Sequence, residues 1–299
     1  MSSVAELNRR LSALRGAAKP PSIAAALKPE EDEWAARVAR LRAAVRLRER
    51  SRLSAERVPL PGVCIAPGLL EVTGRFVPFA RQGLPTHPRR ELAGRLAQLG
   101  PAAPPADFAP DWHTEKAVPA ACVLGLDTET TGLSGGVGTQ VFMLGLVRWE
   151  AAGWTTRQLL LTKPSATLAM HSRMLELLPE NATLLTYNGK RFDLPLLSAA
   201  AVLNGRSDAL SQLAHWDLLD PVRRRYRKLW PNCRLATLEH ELLGYHRSHD
   251  LPGSEAPAAW RGYLQNGHSA PLLGTLEHNR EDLISLIEAL IRLCERRAL

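Results

Sequence analysis

The sequence predicts an α/β fold: a mixed five-stranded sheet flanked by helices, behind an N-terminal extension of different composition. Three observations carry this. From about residue 117 onward, short apolar runs alternate with helix-period stretches. Their order, β-β-β-α-β-α-β-α, is an antiparallel opening meander followed by parallel crossovers. Before that point the chain is rich in Ala, Arg and Pro and carries few strand signals. The predicted division is an extension over residues 1–115 and an α/β domain over 116–299.

In the extension, the run from Glu30 to Arg57 opens with acids and ends in arginines, which suits a helix dipole. GLLEVTGRFVPFARQG reads as two short strands around Thr73-Gly74. The proline-rich PAAPPADFAP, residues 101–110, reads as a linker. In the domain, ACVLGLDTE is a buried strand ending in carboxylates, and QVFMLGLVRW and WTTRQLLLT are the next two strands. A helix capped by Ser165 is expected to run to Leu178. ATLLTY is the fourth strand, and the helix after it ends near Asn204-Gly205. AHWDLL is the fifth, and helices are expected over Pro221–Leu229, Leu235–Leu243 and Gly274–Arg296.

Composition narrows the function classes. The net charge of +8 favours a polyanionic partner without naming one. Cys64, Cys122, Cys233 and Cys294 form no C-x-x-C pair, so neither a zinc ribbon nor a dithiol redox site is suggested. No apolar run approaches the roughly 20 residues a membrane span needs, and the first residues lack the apolar segment of a secretory signal. No membrane association and a cytoplasmic location are expected. His240-Glu241 lacks the second histidine of H-E-x-x-H, which argues against a metalloprotease.

Three segments carry candidate chemistry. In DTETTGL, Asp127 and Glu129 stand two apart on a strand and share a face. A bare D-x-E is usually a solvated strand end; one at the end of a buried strand offers paired oxygen ligands to a hard cation. In YNGKRFDLPLL, Asn188-Gly189 turns the chain and Asp193 falls in the first turn of a helix. In HNREDLISL, His278 and Asp282 lie four apart on one helical face. Each of the last two is ordinary alone. Together the four acids form the ligand set of a two-metal hydrolytic site, in which cations about 4 Å apart stabilise the attacking and leaving oxygens of a phosphodiester. Without cations such acids repel one another.

DTETTGL, NGKRFDLPLL and HNREDLISL resemble the three successive motifs of the DnaQ-like, or DEDD, 3′–5′ exonucleases, and most closely the YprB-type branch of ribonuclease H-like exonucleases. The resemblance runs from about Ala121 to Leu293. It implies the ribonuclease H-like fold and two Mg²⁺ or Mn²⁺ ions held by Asp127, Glu129, Asp193 and Asp282. It makes His278 the general base or the group that orients the attacking water. Related enzymes place a histidine five residues, or a tyrosine four residues, before the last aspartate; this chain has histidine at the tyrosine spacing. Thr130 and Asn188 are candidate substrate contacts within the motifs. Arg247, Asp250 and Gly253 fall in a connecting loop that lines the groove in the family. The basic-aromatic run RRRYRKLW places Arg223, Arg224 and Arg227 among phosphate-binding candidates, with Tyr226 or Trp230 stacking on bases. The competing reading is an amphipathic helix with Leu229 and Trp230 in the core.

The resemblance implies a nucleic-acid partner, DNA before RNA, with a helicase association and a role in DNA repair. Substrate choice is not encoded by catalytic motifs, so an RNA-directed or endonucleolytic enzyme on the same fold is the alternative. A non-catalytic nucleic-acid-binding module is another, favoured only by the altered histidine spacing.

Overall fold

The computed structural model describes residues 58–82, 108–110, 117–132, 138–150, 153–247 and 251–295. All of these lie in the unit spanning Leu53–Leu299. The expected basic helix over Glu30–Arg57 and most of the proline-rich linker lie outside the described residues.

The strands are β1 (Val63–Ala66), β2 (Leu69–Phe76), β3 (Val123–Thr130), β4 (Val141–Glu150), β5 (Gly153–Leu161), β6 (Thr183–Thr186) and β7 (Ala214–Asp217). They form one mixed sheet in the order β1-β2-β5-β4-β3-β6-β7. β2, β5, β4 and β3 pair antiparallel, and β6 and β7 join β3 in parallel. This is the mixed sheet expected of a ribonuclease H-like fold, with seven strands in place of five.

The two added strands come from the segment read as part of the extension. Its turn lies at Gly68, whose φ is +89°, and not at Thr73-Gly74, through which β2 runs unbroken. β2 aligns with β5 from Leu69 opposite Leu161 to Phe76 opposite Trp154. Glu71 is buried on β2 because Arg157 of β5 and Arg173 both donate to it, and the two guanidinium groups hold its carboxyl below the usual range against the cost of burial.

The helices are α1 (Thr167–Glu176), α2 (Asp193–Leu203), α3 (Leu219–Tyr226), α4 (Leu235–Leu238), α5 (Ala256–Asn266) and α6 (Ala270–Glu295). Ser165 does not cap α1; a 3₁₀ turn over Pro164–Ala166 leads into it and Thr167 Oγ1 donates to Pro164 O at 2.9 Å. α2 ends where expected, with Gly205 in the left-handed region at φ +65°. α4 passes directly into a π-helical turn, Glu239–Leu243, closed by Gly244 at φ +64°. α5 is not among the expected helices. None of the described helices is long and apolar enough to cross a membrane.

Successive residues of the central strands feed different cores, as a period of two requires when both faces are covered. Leu124 and Leu146 pack with Met170 and Met174 of α1 and Leu197 of α2. Val123 and Val147 pack with Leu283, Leu286, Ile287 and Leu290 of α6. β3 is thus held between two layers with its carboxylate end at the rim of both.

Candidate functional site

Asp127 and Glu129 sit near the end of β3, as the strand reading expects. Across the sheet, Asp127 is opposite Gly145 of β4, which is opposite Gln158 of β5. Over this row lies Asn279 of α6. Its Nδ2 donates to Asp127 Oδ2 at 2.8 Å, and its Oδ1 accepts from Gln158 Nε2 at 2.9 Å. A side chain at position 145 would collide, since a Cβ there lies 2.3 Å from Asn279 Oδ1. Gly145 therefore makes room for the residue that orients Asp127, a close-approach use of a strand glycine.

Asp193 opens α2 and is 5% exposed. The turn that delivers it follows β6. Asn188 takes φ +70°, a left-handed conformation that asparagine tolerates better than most residues. A Cβ on Gly189 would lie 2.5 Å from Thr186 Cβ, so this position must be glycine for the turn to fold back onto the strand. Buried Asp217, the last residue of β7, holds the turn: Oδ1 accepts from Asn188 N at 2.7 Å and Leu219 N at 3.0 Å, and Oδ2 accepts from Lys190 N at 3.0 Å. Thr128 Oγ1 donates to Asp193 Oδ1 and ties it to β3.

Asp282 and His278 share a face of α6, His278 Nε2 lying 3.6 Å from Asp282 Oδ2. Arg247 stands between them and Glu239. It forks onto Glu239 through Nε at 2.8 Å and Nη2 at 2.6 Å, pairs with Asp282, and places Nη1 3.2 Å from His278 Nδ1. Guanidinium only donates, so Nδ1 is the acceptor there and the proton of the neutral ring is on Nε2.

The acids meet electrostatically. Burial above all, then the charges of Asp282, Asp193 and Glu129, hold the Asp127 carboxyl well above the usual range. Burial pushes the Asp193 carboxyl up to about 6 despite the Thr128 bond. The charges of Glu129, Asp193 and Asp282, from β3, α2 and α6, thus all reach Asp127, and burial disfavours the charged form of both Asp127 and Asp193.

All the donors are hard oxygens, the chemistry of Mg²⁺ or Mn²⁺, and a cation would relieve the repulsion at Asp127 and the cost of burying charge at Asp127 and Asp193. The residues present fit such ions. Among the described residues, no three of His, Cys, Asp and Glu stand together as a finished ligand set. Asn279, Thr128 and Arg247 instead engage Asp127, Asp193 and Asp282.

The candidate substrate contacts separate. Asn188, Arg223 and Arg227 line one cleft of about 820 Å³, with Arg224 outside its lining. Thr130 Oγ1 is turned to Gly132 O at 2.6 Å. Arg247 lies within the acid cluster, Gly253 lies against His278, and Asp250 is outside the described residues. Tyr226 is buried and stacks on Trp230, centroids 4.1 Å apart, so these rings face each other; Leu229 is exposed. Asp217, Asn279, Gln158 and Glu239 are the residues that sequence reading passed over. The only signals were a glycine inside a buried strand, opposite the first aspartate, and a polar residue beside His278.

A curated relative from Bacillus subtilis, the uncharacterized protein YprB, is 36% identical over 171 residues, which is 57% of this chain and 41% of that protein. The match thus spans about two fifths of the relative. Among solved structures, a family B DNA polymerase from Pyrobaculum calidifontis is 17% identical, covering 60% of this chain and 25% of that one at a TM-score of 0.45. Exonuclease I of E. coli with a dT13 oligonucleotide is 20% identical, covering 52% and 43% at a TM-score of 0.35. Likeness at this level says nothing of this chain's substrate. The RNase H superfamily profile matches residues 124–294, from β3 through α6 and so across all four acids. The chain belongs to the RNase H superfamily.

Proposed function

We propose that this chain is a metal-dependent 3′–5′ exonuclease that hydrolyses phosphodiester bonds, with DNA as its substrate and DNA repair as its setting. The observation that carries the reading is the approach of Glu129, Asp193 and Asp282 to Asp127, where burial above all and then their three charges raise the Asp127 carboxyl, and burial raises that of Asp193. Membership of the RNase H superfamily supports a nucleic-acid hydrolase. The direction of digestion, the choice of DNA, the repair setting and a helicase partner rest on the motif resemblance.

Asp127, Glu129, Asp193 and Asp282 would hold two Mg²⁺ or Mn²⁺ ions, which when bound supply charge stabilisation to the attacking and leaving oxygens. The chain's own groups do the positioning. Asn279 of α6 and Thr128 of β3 fix the carboxylates of Asp127 and Asp193. His278, with Nδ1 accepting from Arg247, presents an Nε2 proton and so orients the attacking water as a donor. Arg247, forked on Glu239, sets the position of both His278 and Asp282.

The test is digestion of a single-stranded DNA labelled at its 5′ end, with a matching RNA and a circular single strand alongside. Stepwise shortening of the linear DNA with Mg²⁺ or Mn²⁺, and none in chelator, is expected. Cleavage of the circle would replace the exonuclease reading with the endonucleolytic one, and preference for RNA would overturn the DNA assignment. Full digestion in EDTA would end the metal-dependent account.

A further inference from the structure

Many arginines of this fold are already spoken for. Arg81, Arg157, Arg173 and Arg247 each pair with a buried carboxylate. Arg223, Arg227 and Arg234 are different: all three are exposed, form no ion pair among the described residues, and line a single cleft of about 820 Å³ that has no acidic residue in its walls. Three unneutralised guanidinium groups around one concavity repel one another, an arrangement that a bound polyanion relieves.

The walls of the cleft are fixed. Tyr187 lines it, and its hydroxyl donates to Cys233 O at 2.7 Å, joining the end of β6 to the segment between α3 and α4. Asn232 Oδ1 accepts from Arg234 N at 3.0 Å and from Thr237 Oγ1 at 2.7 Å, which sets the turn carrying Arg234. Asn188, also in the lining, belongs to the turn that Asp217 grips and that delivers Asp193. The cleft and the acid cluster therefore share the Asn188 turn as a common wall.

We infer that this cleft holds the phosphodiester backbone of the single polynucleotide strand whose end lies at the acid cluster, with Arg223, Arg227 and Arg234 each meeting a phosphate. The inference rests on the nuclease reading for where that strand leads. A cleft of this volume is in the range that takes a drug-sized ligand, about one or two nucleotides, and is too small for both strands of a duplex. Neither buried Tyr226 nor half-buried Trp230, which stack on each other, lines the cleft, so binding here is electrostatic and indifferent to sequence.

The experiment is equilibrium binding of the full chain to fluorescent oligo-dT and oligo-rU of about 15 nucleotides, in EDTA, across about 50–200 mM salt. The variants are Arg223→Gln/Arg227→Gln/Arg234→Gln, the same three positions as Lys, and Arg261→Gln, an exposed residue of α5, as a charge control. The triple Gln variant should flatten the slope of log affinity against log salt by about 2, at about 0.7 per lost phosphate contact. The Lys variant and the Arg261 control should keep the wild-type slope, which separates lost charge from damaged folding. Equal loss with oligo-dT and oligo-rU supports a backbone contact common to DNA and RNA. A wild-type slope in the triple Gln variant would overturn the inference, as would equal loss of binding to a duplex of the same length. Because binding is read in chelator, the outcomes separate: a chain that binds through the cleft but never cleaves refutes the nuclease reading alone. One that cleaves while its binding ignores the three arginines refutes the cleft alone.

Discussion

Asp193→Asn should make the metal-free protein more stable while abolishing its stabilisation by metal. Burial holds the Asp193 carboxyl at about 6, against an ordinary 3.8. Roughly two units at about 1.4 kcal/mol each set an upper bound of about 3 kcal/mol withheld from the folded state when this group is ionised. Relaxation of the neighbouring acids brings the expected gain to about 1–3 kcal/mol, or a Tm rise of about 2–12 °C for a domain of this size. Between pH 3.8 and 6 the folded chain binds more protons at this site than the unfolded chain, so stability falls as pH rises through that window. The Asn variant carries no such penalty, and its amide oxygen still accepts from Thr128. Its advantage should be full at pH 7.5 and gone near pH 4. Thermal unfolding in EDTA at the two pH values measures this. Added Mn²⁺ should then raise the wild-type Tm and leave the variant unmoved, since a ligand at about 100 times its Kd contributes about 2.7 kcal/mol. A variant less stable than wild type in EDTA at pH 7.5, or a gap that does not change with pH, would refute the electrostatic reasoning.

Three further perturbations have defined outcomes. Asp217→Ala strips the acceptor from three backbone N–H groups, so it should cost about 3 kcal/mol or more and weaken Mn²⁺-dependent stabilisation through the displaced Asp193 turn; unchanged metal response would remove Asp217 from the site. His278→Ala should lower turnover about 10²–10³-fold by loss of one donor with metal affinity kept, and His278→Gln, which can still donate, should recover part of it; an inactive Gln variant beside an active Ala variant would contradict the donor role. Arg81→Met leaves buried Glu288 without its cation and half-buried Glu281 with only the more distant Arg280, so denaturant unfolding should show a loss of about 3–5 kcal/mol.

What could be read from the sequence was local. The D-T-E spacing, the Asn188-Gly189 turn, the start of a helix at Asp193 and the shared face of His278 and Asp282 are consequences of two- and 3.6-residue periods and of glycine's conformational freedom, and all are present in the structure. What could not be read depends on partners far away in sequence. Strand β2 looks like any short strand until Leu69 meets Leu161, 92 residues later, and no local pattern announces that pairing. Asp217 ends an unremarkable W-D on β7, and its role exists only because the Asn188 turn arrives beside it. Helix α5 did leave marks, Pro257 near its start and Gly267 at φ +72° after its end, but its apolar face is short. The aromatic-basic run left two readings open, a base platform and an amphipathic helix with Leu229 and Trp230 in the core; Leu229 is in fact exposed and Trp230 half-buried, stacked on Tyr226, a pairing that no helical period foretells.

The position of the fourth acid also follows from distant contacts. Ser285, one turn beyond Asp282 on α6, accepts from Arg81 Nη2 at 2.7 Å and donates to Glu239, the residue on which Arg247 is forked. Arg81 continues to Glu288, whose other oxygen accepts from Phe79 N at 2.6 Å. Glu288 and Ser285 are fully buried, and burial raises the Glu288 carboxyl in spite of Arg81. Such a network is costly if any member is missing, because each group left unpaired keeps its full desolvation penalty. It therefore fixes the rotation of α6 about its axis more strictly than apolar packing does, since leucines tolerate small shifts and forked guanidinium groups do not. Rotation of α6 is what decides whether Asp282 and His278 face Asp127. The segment after β2, far from the motifs in sequence, is thus part of the apparatus that aims them.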